Sequence, residues 1–372
     1  MLMATIEESI KEVEAEIAKT QVNKHTEYHI GKLKAKIARL KDEQEKRRST
    51  GGGGGKGYSV KKSGNATVAL VGFPSVGKST LLNRLTGAES EVGAYDFTTI
   101  DVVPGIMEYN SAKIQILDLP GLIRDASKGK GRGREVLSVV RSADLILFVL
   151  DTFDTNLQVL TGELETAGIR INTHPADVVV TRTESGGIDI KPTVTLTKMD
   201  IDLATAVVSE YGYVNAEVVI REDVTVDQLI DVLTGNRVYS KAILAINKID
   251  LTDKVHLDQV MEKFKNWRPV PILAGARIGI EELKARIFES IDLIRIYLKK
   301  QGQEADMKEP LIIRRGANIG EVCDSLHRIF RQNFRYSLVW GKSAKFPGQM
   351  VGLDHVLQDQ DILYIVVKRT GE

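Results

Sequence analysis

The chain has 372 residues, 42% of them hydrophobic, and 51 basic side chains against 50 acidic ones. That length suits roughly two or three folded units, and the net charge by itself points to neither a nucleic-acid nor a membrane partner. One cysteine, Cys323, excludes a disulfide scaffold and a four-cysteine zinc site. The apolar run Leu145–Leu150 falls far short of the ~18 residues of a membrane helix. Glu7 and Glu8 stand where a signal peptide needs basic and then apolar residues. A soluble, cytoplasmic protein without membrane contact is expected.

The charge is unevenly laid out: +5 over residues 1–62, −7 over 63–309 and +3 over 310–372. Basic ends are one signature of polyanion contact, solvated helix faces being the bland alternative. In the first segment Ile6, Ile10, Val13 and Ile17, then Ile30, Leu33, Ile37 and Leu40, recur at helical spacing, which predicts a helical hairpin over residues 1–50. The stripes are narrow, so the hairpin should lean on another element or a partner. His25 and His29 lie four apart, but no third metal ligand accompanies them. Gly51–Gly55 opens a Gly-rich linker over 51–64.

From Ala66 the texture changes. Thr67–Val71, Lys113–Leu117, Leu145–Leu150 and Ala242–Ile246 read as buried strands, with helical patterns at Lys78–Leu85 and Glu135–Arg141 between them. Strands alternating with helices predict a doubly wound α/β domain over 65–169 and 239–298, with ligands beyond the carboxyl ends of its strands. Residues 170–238 interrupt it with an α+β insertion. There Val178–Thr181 and Ile188–Ile190 read as a β-hairpin, Asp202–Glu210 and Thr225–Leu233 as helices, and Ala216–Ile220 as a strand. A polar linker over 299–310 leads to a small β-rich domain over 311–372, with strands at Leu311–Ile313, Tyr336–Trp340 and Ile362–Val367 and one helix at Ile319–Phe330.

Four short motifs carry the chemistry. Gly72-Phe73-Pro74-Ser75-Val76-Gly77-Lys78-Ser79 follows the first strand and opens a helix, as a P-loop does. Its glycines let the backbone wrap phosphates with N–H groups turned inward. Lys78 is expected on the β- and γ-phosphates and Ser79 on Mg²⁺, with Ser75, Val76 and Thr80 in the same cradle. Asp118-Leu119-Pro120-Gly121 ends a strand. Asp118 is expected to hold Mg²⁺ through water, and the Gly121 N–H to meet the γ-phosphate; a plain turn is the alternative. Between them, Phe97-Thr98-Thr99-Ile100 offers a hydroxyl, that of Thr99 in preference to Thr98, to complete the Mg²⁺ shell only while the γ-phosphate is present. Such a loop is a switch.

Asn247-Lys248-Ile249-Asp250 names the base. A carboxylate accepts from guanine N1–H and N2–H₂, a donor pair that adenine lacks, so a buried Asp250 would be left unpaired by ATP. Asn247 should brace the loop and the Lys248 stem should cover the base. Lys198-Met199-Asp200 lacks the asparagine and is no rival. In Ile272-Leu273-Ala274-Gly275 the Ala274 N–H is expected to meet guanine O6.

The motif order is that of a GTPase. The Phe-Pro in the P-loop, Tyr95-Asp96-Phe97-Thr98-Thr99 and Asp118-Leu119-Pro120-Gly121-Leu122 resemble the Obg-related GTPases. Gly51–Gly55, the segment Arg221–Asp231 and Gly235-Asn236-Arg237-Val238-Tyr239 resemble the developmentally regulated GTP-binding proteins. The resemblance spans essentially the whole chain. It implies a helical N-terminal region, a GTPase domain with a ribosomal-protein-like insertion, and a C-terminal TGS domain of the β-grasp kind. It further implies association with ribosomes in translation and, in some organisms, a small regulatory partner protein.

Where Ras-type enzymes carry a water-orienting glutamine, this chain has Leu122, so slow intrinsic hydrolysis is expected from Lys78, Thr99 and Gly121. Related GTPases that use K⁺ carry asparagine at the position of Ser75, whose oxygen has shorter reach; K⁺ is thus a second cofactor to test. Lys128, Lys130, Arg132 and Arg134 alternate with glycines in a loop that supplies a cation to the transition state, touches ribosomal RNA phosphates or is simply solvated. In the terminal domain Arg328, Arg331, Arg335, Lys342 and Lys345 interleave with Phe330, Phe334, Tyr336 and Trp340. That composition meets RNA by phosphate contact and stacking, or builds the domain's core. Cys323 and His327, four apart, are expected to be buried. A P-loop kinase or ATPase is the rival that Asp250 opposes. A nucleotide-binding scaffold with negligible hydrolysis, acting through its terminal domains, is the other.

Overall fold

The computed structural model describes residues 6–21, 23, 26–50, 63–86, 103–119, 133–300 and 302–368. Thr98, Thr99, Gly121, Leu122, His25, the glycine run and the basic loop from Lys128 to Arg132 lie outside them, as does the side chain of Arg134. In chain order, α1 (Ile6–Lys19) and α2 (Glu27–Thr50) precede β1 (Ala66–Val71), α3 (Lys78–Thr86), β2 (Val103–Tyr109), β3 (Ala112–Asp118) and α4 (Gly133–Ser142). Next come β4 (Leu145–Asp151), α5 (Leu157–Thr166), β5 (Ile169–Ile171), β6 (Val178–Arg182), β7 (Ile188–Pro192) and α6 (Ile201–Glu210). They are followed by β8 (Ala216–Ile220), α7 (Val226–Thr234), β9 (Val238–Asn247), α8 (Lys254–Lys263), β10 (Val270–Pro271) and α9 (Ile280–Ile291). The chain closes with β11 (Leu293–Leu298), β12 (Leu311–Arg314), α10 (Ile319–Leu326), α11 (Arg328–Gln332), β13 (Phe334–Trp340), β14 (Gln349–Val351) and β15 (Asp361–Val367).

These elements form two units: Met1–Gly57 with Gly168–Tyr239, and Tyr58–Ala167 with Ser240–Glu372. In the second, β10-β9-β4-β1-β3-β2 run side by side. All pairs are parallel except the edge strand β2, which is antiparallel to β3. β1 is buried along its whole length and β4 over Leu145–Leu150, because helices cover both faces of a parallel sheet. That explains the unbroken apolar runs. Register aligns Leu70 with Asp118 and Asp151 with Asn247, so the chemistry-bearing residues leave the sheet at one end. β1 sits between β3 and β4, which makes that end a topological switch point.

The terminal domain starts earlier than its sequence suggests. β11 pairs with β12 and β15 in the sheet β12-β11-β15-β13-β14, so Leu293–Leu298 belongs to this domain, not to the GTPase stretch 239–298. The reason is that Ile294 and Ile296 are buried against Ile319, Val322 and Cys323 of α10. The helix expected over Ile319–Phe330 is broken at His327, whose extended backbone (φ −174°) ends α10 and whose Nδ1 accepts from the Ile329 N–H to start α11. Cys323 is buried, and burial pushes its thiol pKa up, whereas His327, expected to be buried with it, is exposed.

In the first unit α6 and α7 cover a three-stranded sheet of order β6-β8-β7. The expected hairpin between Val178–Thr181 and Ile188–Ile190 does not form. β8 lies between them, antiparallel to β6 and parallel to β7. Its Ala216, Val218 and Ile220 are buried, and the most apolar strand takes the centre, where both edges are paired. Lys198-Met199-Asp200 proves to be a helix start, Asp200 accepting from the Leu203 N–H at 2.7 Å. Thr225 and Gln228 form a capping box on α7. The hairpin leans on this unit. Gly31 of α2 lies so close to Leu203 that a Cβ there would meet its Cδ1 at 2.8 Å, Lys34 pairs with Asp227, and Arg39 reaches the Glu210 carbonyl. Asp231, buried on α7, accepts from Arg170 and Arg237, the residues by which the chain enters and leaves the insertion.

Candidate nucleotide site

Four strand ends supply the site. Beyond β1 the chain turns through Gly72 to Gly77 and enters α3 at Lys78. A Cβ on Gly72 would lie 2.3 Å from the Val149 carbonyl of β4, and one on Gly77 (φ +95°) 2.4 Å from Asn247 Nδ2. Both positions therefore demand glycine, one for packing and one for backbone sign as well. Ser75 also has left-handed backbone (φ +63°) and is exposed.

Lys78 is buried. Its ammonium donates to the carbonyls of Gly72 (3.0 Å) and Phe73 (2.9 Å), so it lies curled inside the loop that would hold phosphate. Burial holds its pKa below the usual lysine range, opposed by the Asp118 carboxylate. At the first turn of α3 the Ser79 hydroxyl donates to Asp118 Oδ2 at 2.5 Å, across from the end of β3. A serine oxygen and a carboxylate side by side are hard oxygen donors of the kind Mg²⁺ takes. Among the described residues there is no group of three or more His, Cys, Asp or Glu that could hold a metal ion. Thr80 lies exposed on the same turn.

Asn247 ties the halves of the site together. It is buried; its Nδ2 donates to the Val76 carbonyl at 2.9 Å, and its Oδ1 accepts from the Ala274 N–H at 3.1 Å. The Ala274 N–H, expected on guanine O6, here donates to Asn247. The pairing lets the buried Asn247 amide satisfy both of its ends inside the protein. Arg84 of α3 braces the same loop, donating to the carbonyls of Ala274 (3.2 Å) and Gly275 (3.1 Å). Lys248 has left-handed backbone (φ +59°), and Asp250 sits in a 3₁₀ turn over Ile249–Leu251. Asp250 is exposed, not buried as its role in base choice presumes. A base seated against it would have to supply that burial.

Two residues escaped the sequence reading. Asp151, at the end of β4, caps its own turn and stands 3.4 Å from Lys248 Nζ. Its signal was available, since it closes an apolar strand just as Asp118 does. Arg84 had none, being one more cation on a helix.

The comparisons agree on kinship. A family model described as "50S ribosome-binding GTPase" matches residues 67–182, one for the C-terminal region of that domain matches 185–293, and a TGS domain model matches 294–367. The chain is 56% identical to an uncharacterised GTP-binding protein of Methanocaldococcus jannaschii, over 98% of this chain and 93% of that one. It is 45% identical to developmentally-regulated G-protein 2 of Arabidopsis thaliana (99% and 92%). To human developmentally-regulated GTP-binding protein 2 the identity is 43% (97% and 99%).

Proposed function

The chain belongs to the developmentally regulated GTP-binding proteins, α/β P-loop GTPases with N-terminal helices and a C-terminal TGS domain, and from that premise we propose a Mg²⁺-dependent GTP switch that works on ribosomes. The observation that carries the reading is the Asn247 side chain, hydrogen-bonded at once to the P-loop and to the loop at Ala274. It fixes base recognition and phosphate binding as one rigid assembly.

When GTP enters, the backbone N–H groups between Gly72 and Ser79 meet the phosphate oxygens. The Lys78 ammonium exchanges the Gly72 and Phe73 carbonyls for charged oxygens. Ser79 and Asp118 are the residues that would hold Mg²⁺, which supplies neutralising charge on the β- and γ-phosphates. Asp250 accepts from the guanine N1–H and N2–H₂ edge, the Lys248 stem lies along the base, and the Thr99 hydroxyl and Gly121 N–H report the γ-phosphate. With Leu122 in place of a water-orienting glutamine, turnover is slow until a partner, K⁺ or a rearrangement assists it.

Ribosome contact is supported by the description of the matched GTPase model and by the terminal domain. There Phe330 and Phe334 pack on the core, whereas Tyr336 and Trp340 stay half-buried outside it. Lys299 lies over the Trp340 ring at 4.9 Å and Arg335 by Tyr336 at 6.0 Å, an arrangement suited to RNA. The N-terminal helices contribute less, because Lys34, Arg39, Lys41 and Lys46 are paired with carboxylates. Sedimentation with ribosomes in GTP, GDP and nucleotide-free states tests the switch. GTP-favoured cosedimentation is expected, and binding indifferent to nucleotide would refute it.

A further inference from the structure

We infer that Asp151 is a positioning residue for guanine-nucleotide binding, fixing the Lys248 side chain before the base arrives. The inference rests on reading Asn247–Asp250 as the guanine loop.

Asp151 and Asn247 are register partners at the ends of β4 and β9, so the two chains leave the sheet side by side. Asp151 Oδ1 accepts from the N–H groups of Phe153 (3.1 Å) and Asp154 (2.6 Å), which turns the chain off the strand and locks the carboxylate plane. Oδ2 is left facing Lys248 Nζ at 3.4 Å. The loop that carries Asp151 is itself fastened to α8. His256 Nε2 meets the Thr152 carbonyl at 3.0 Å, the Phe153 and His256 rings stack with centroids 6.1 Å apart, and Lys263 donates to Thr155 Oγ1 at 2.9 Å. The acceptor is therefore mounted rigidly, whereas its partner is a four-carbon chain on a left-handed residue.

A lysine stem that must lie along a base gives up rotamer freedom when the ligand binds. Anchoring the ammonium moves that loss to folding, so the nucleotide meets a stem already in place. The Asp151 side chain is 16% exposed and that of Lys248 32%, so solvent screens the pair less than it would two surface charges. The effect concerns the base end alone and is the same for GDP and GTP.

The test is titration of the full chain with a fluorescent GDP analogue, alongside steady-state GTP turnover and melting temperatures. D151N keeps an acceptor for Phe153 and Asp154 but loses the charge facing Lys248. It should weaken GDP and GTP alike by about fivefold, raising KM without lowering kcat. The double variant D151N/K248A should bind no more weakly than K248A. D151E, which keeps the charge but disturbs the turn, should stay within about twofold of the wild type in GDP affinity even where its melting temperature falls. GDP affinity unchanged in D151N, factors that multiply in the double variant, or D151E as weak as D151N would each overturn the inference while guanine binding itself stands. A wild-type protein that holds no guanine nucleotide would overturn both.

Discussion

Removing the Asn247 amide should cost the protein both stability and base binding. Asn247→Ala deletes the donor to the Val76 carbonyl and the acceptor for the Ala274 N–H, and both of those residues are 1% exposed. Water cannot reach either group without opening a loop. At about 1–3 kcal/mol for each buried group left without a partner, the expected loss is about 4 kcal/mol, a large share of the ~5–15 kcal/mol of an ordinary domain. At about 2–4 °C per kcal/mol, that is a fall of ~8–16 °C in the melting temperature of nucleotide-free protein. Differential scanning fluorimetry without nucleotide measures the first effect, and GDP titration of the folded variant measures the second, because the Ala274 loop and the P-loop are then no longer joined. A melting temperature within ~2 °C of the wild type would refute the bracing role. Lost stability with GDP affinity unchanged would refute the link from brace to base.

Two further predictions follow from buried charges. Because the folded-state pKa of Lys78 is lowered, the unfolded chain holds a proton that the folded one lacks between that value and 10.5. The burial penalty is thus complete below the lowered folded-state value and is relieved as pH rises through that interval. Nucleotide-free wild type should therefore gain on Lys78→Met in melting temperature between pH 7 and pH 10; a pH-independent gap would contradict the reading, and triphosphate binding should be lost in the variant throughout. Asp231→Ala removes the buried carboxylate that Arg170 and Arg237 share, at a cost of about 3–5 kcal/mol. Limited proteolysis should then cut within residues 168–239 before the GTPase lobe, and uniform resistance would contradict that.

The site was legible in the sequence where chemistry dictates contiguous residue types. A phosphate cradle needs Gly72, Gly77, Lys78 and Ser79 together, and a guanine loop needs Asn247 and Asp250 three apart. Those demands leave a contiguous pattern that can be read before any fold is known. Asp151 left a weaker trace, because one carboxylate closing an apolar strand gains its meaning only from the register that sets it beside Asn247. The Ala274 N–H illustrates a different limit: which way a backbone group turns depends on a side chain 27 residues upstream. Tertiary pairing also overrode local signals in the fold. Glu184-Ser185-Gly186-Gly187 has the composition of a hairpin turn, yet β8 offers each flanking strand a better partner. Leu293–Leu298 continues the apolar texture of α9, and only its pairing with β12 and β15 assigns it to the terminal domain. His327 breaks a helix without glycine or proline, by capping the next one with its ring.

Base choice by a single carboxylate is most directly tested by competing GDP, ATP and xanthosine diphosphate on the wild type and on Asp250→Asn. Xanthine carries an oxygen where guanine carries its amino group, so an asparagine amide can donate where the aspartate had to accept. The wild type should prefer GDP over both rivals, and the variant should lose GDP by about 100-fold or more while gaining the xanthosine nucleotide. A variant that holds GDP as tightly as before, or a wild type that ATP displaces as readily as GDP does, would contradict the account at its root.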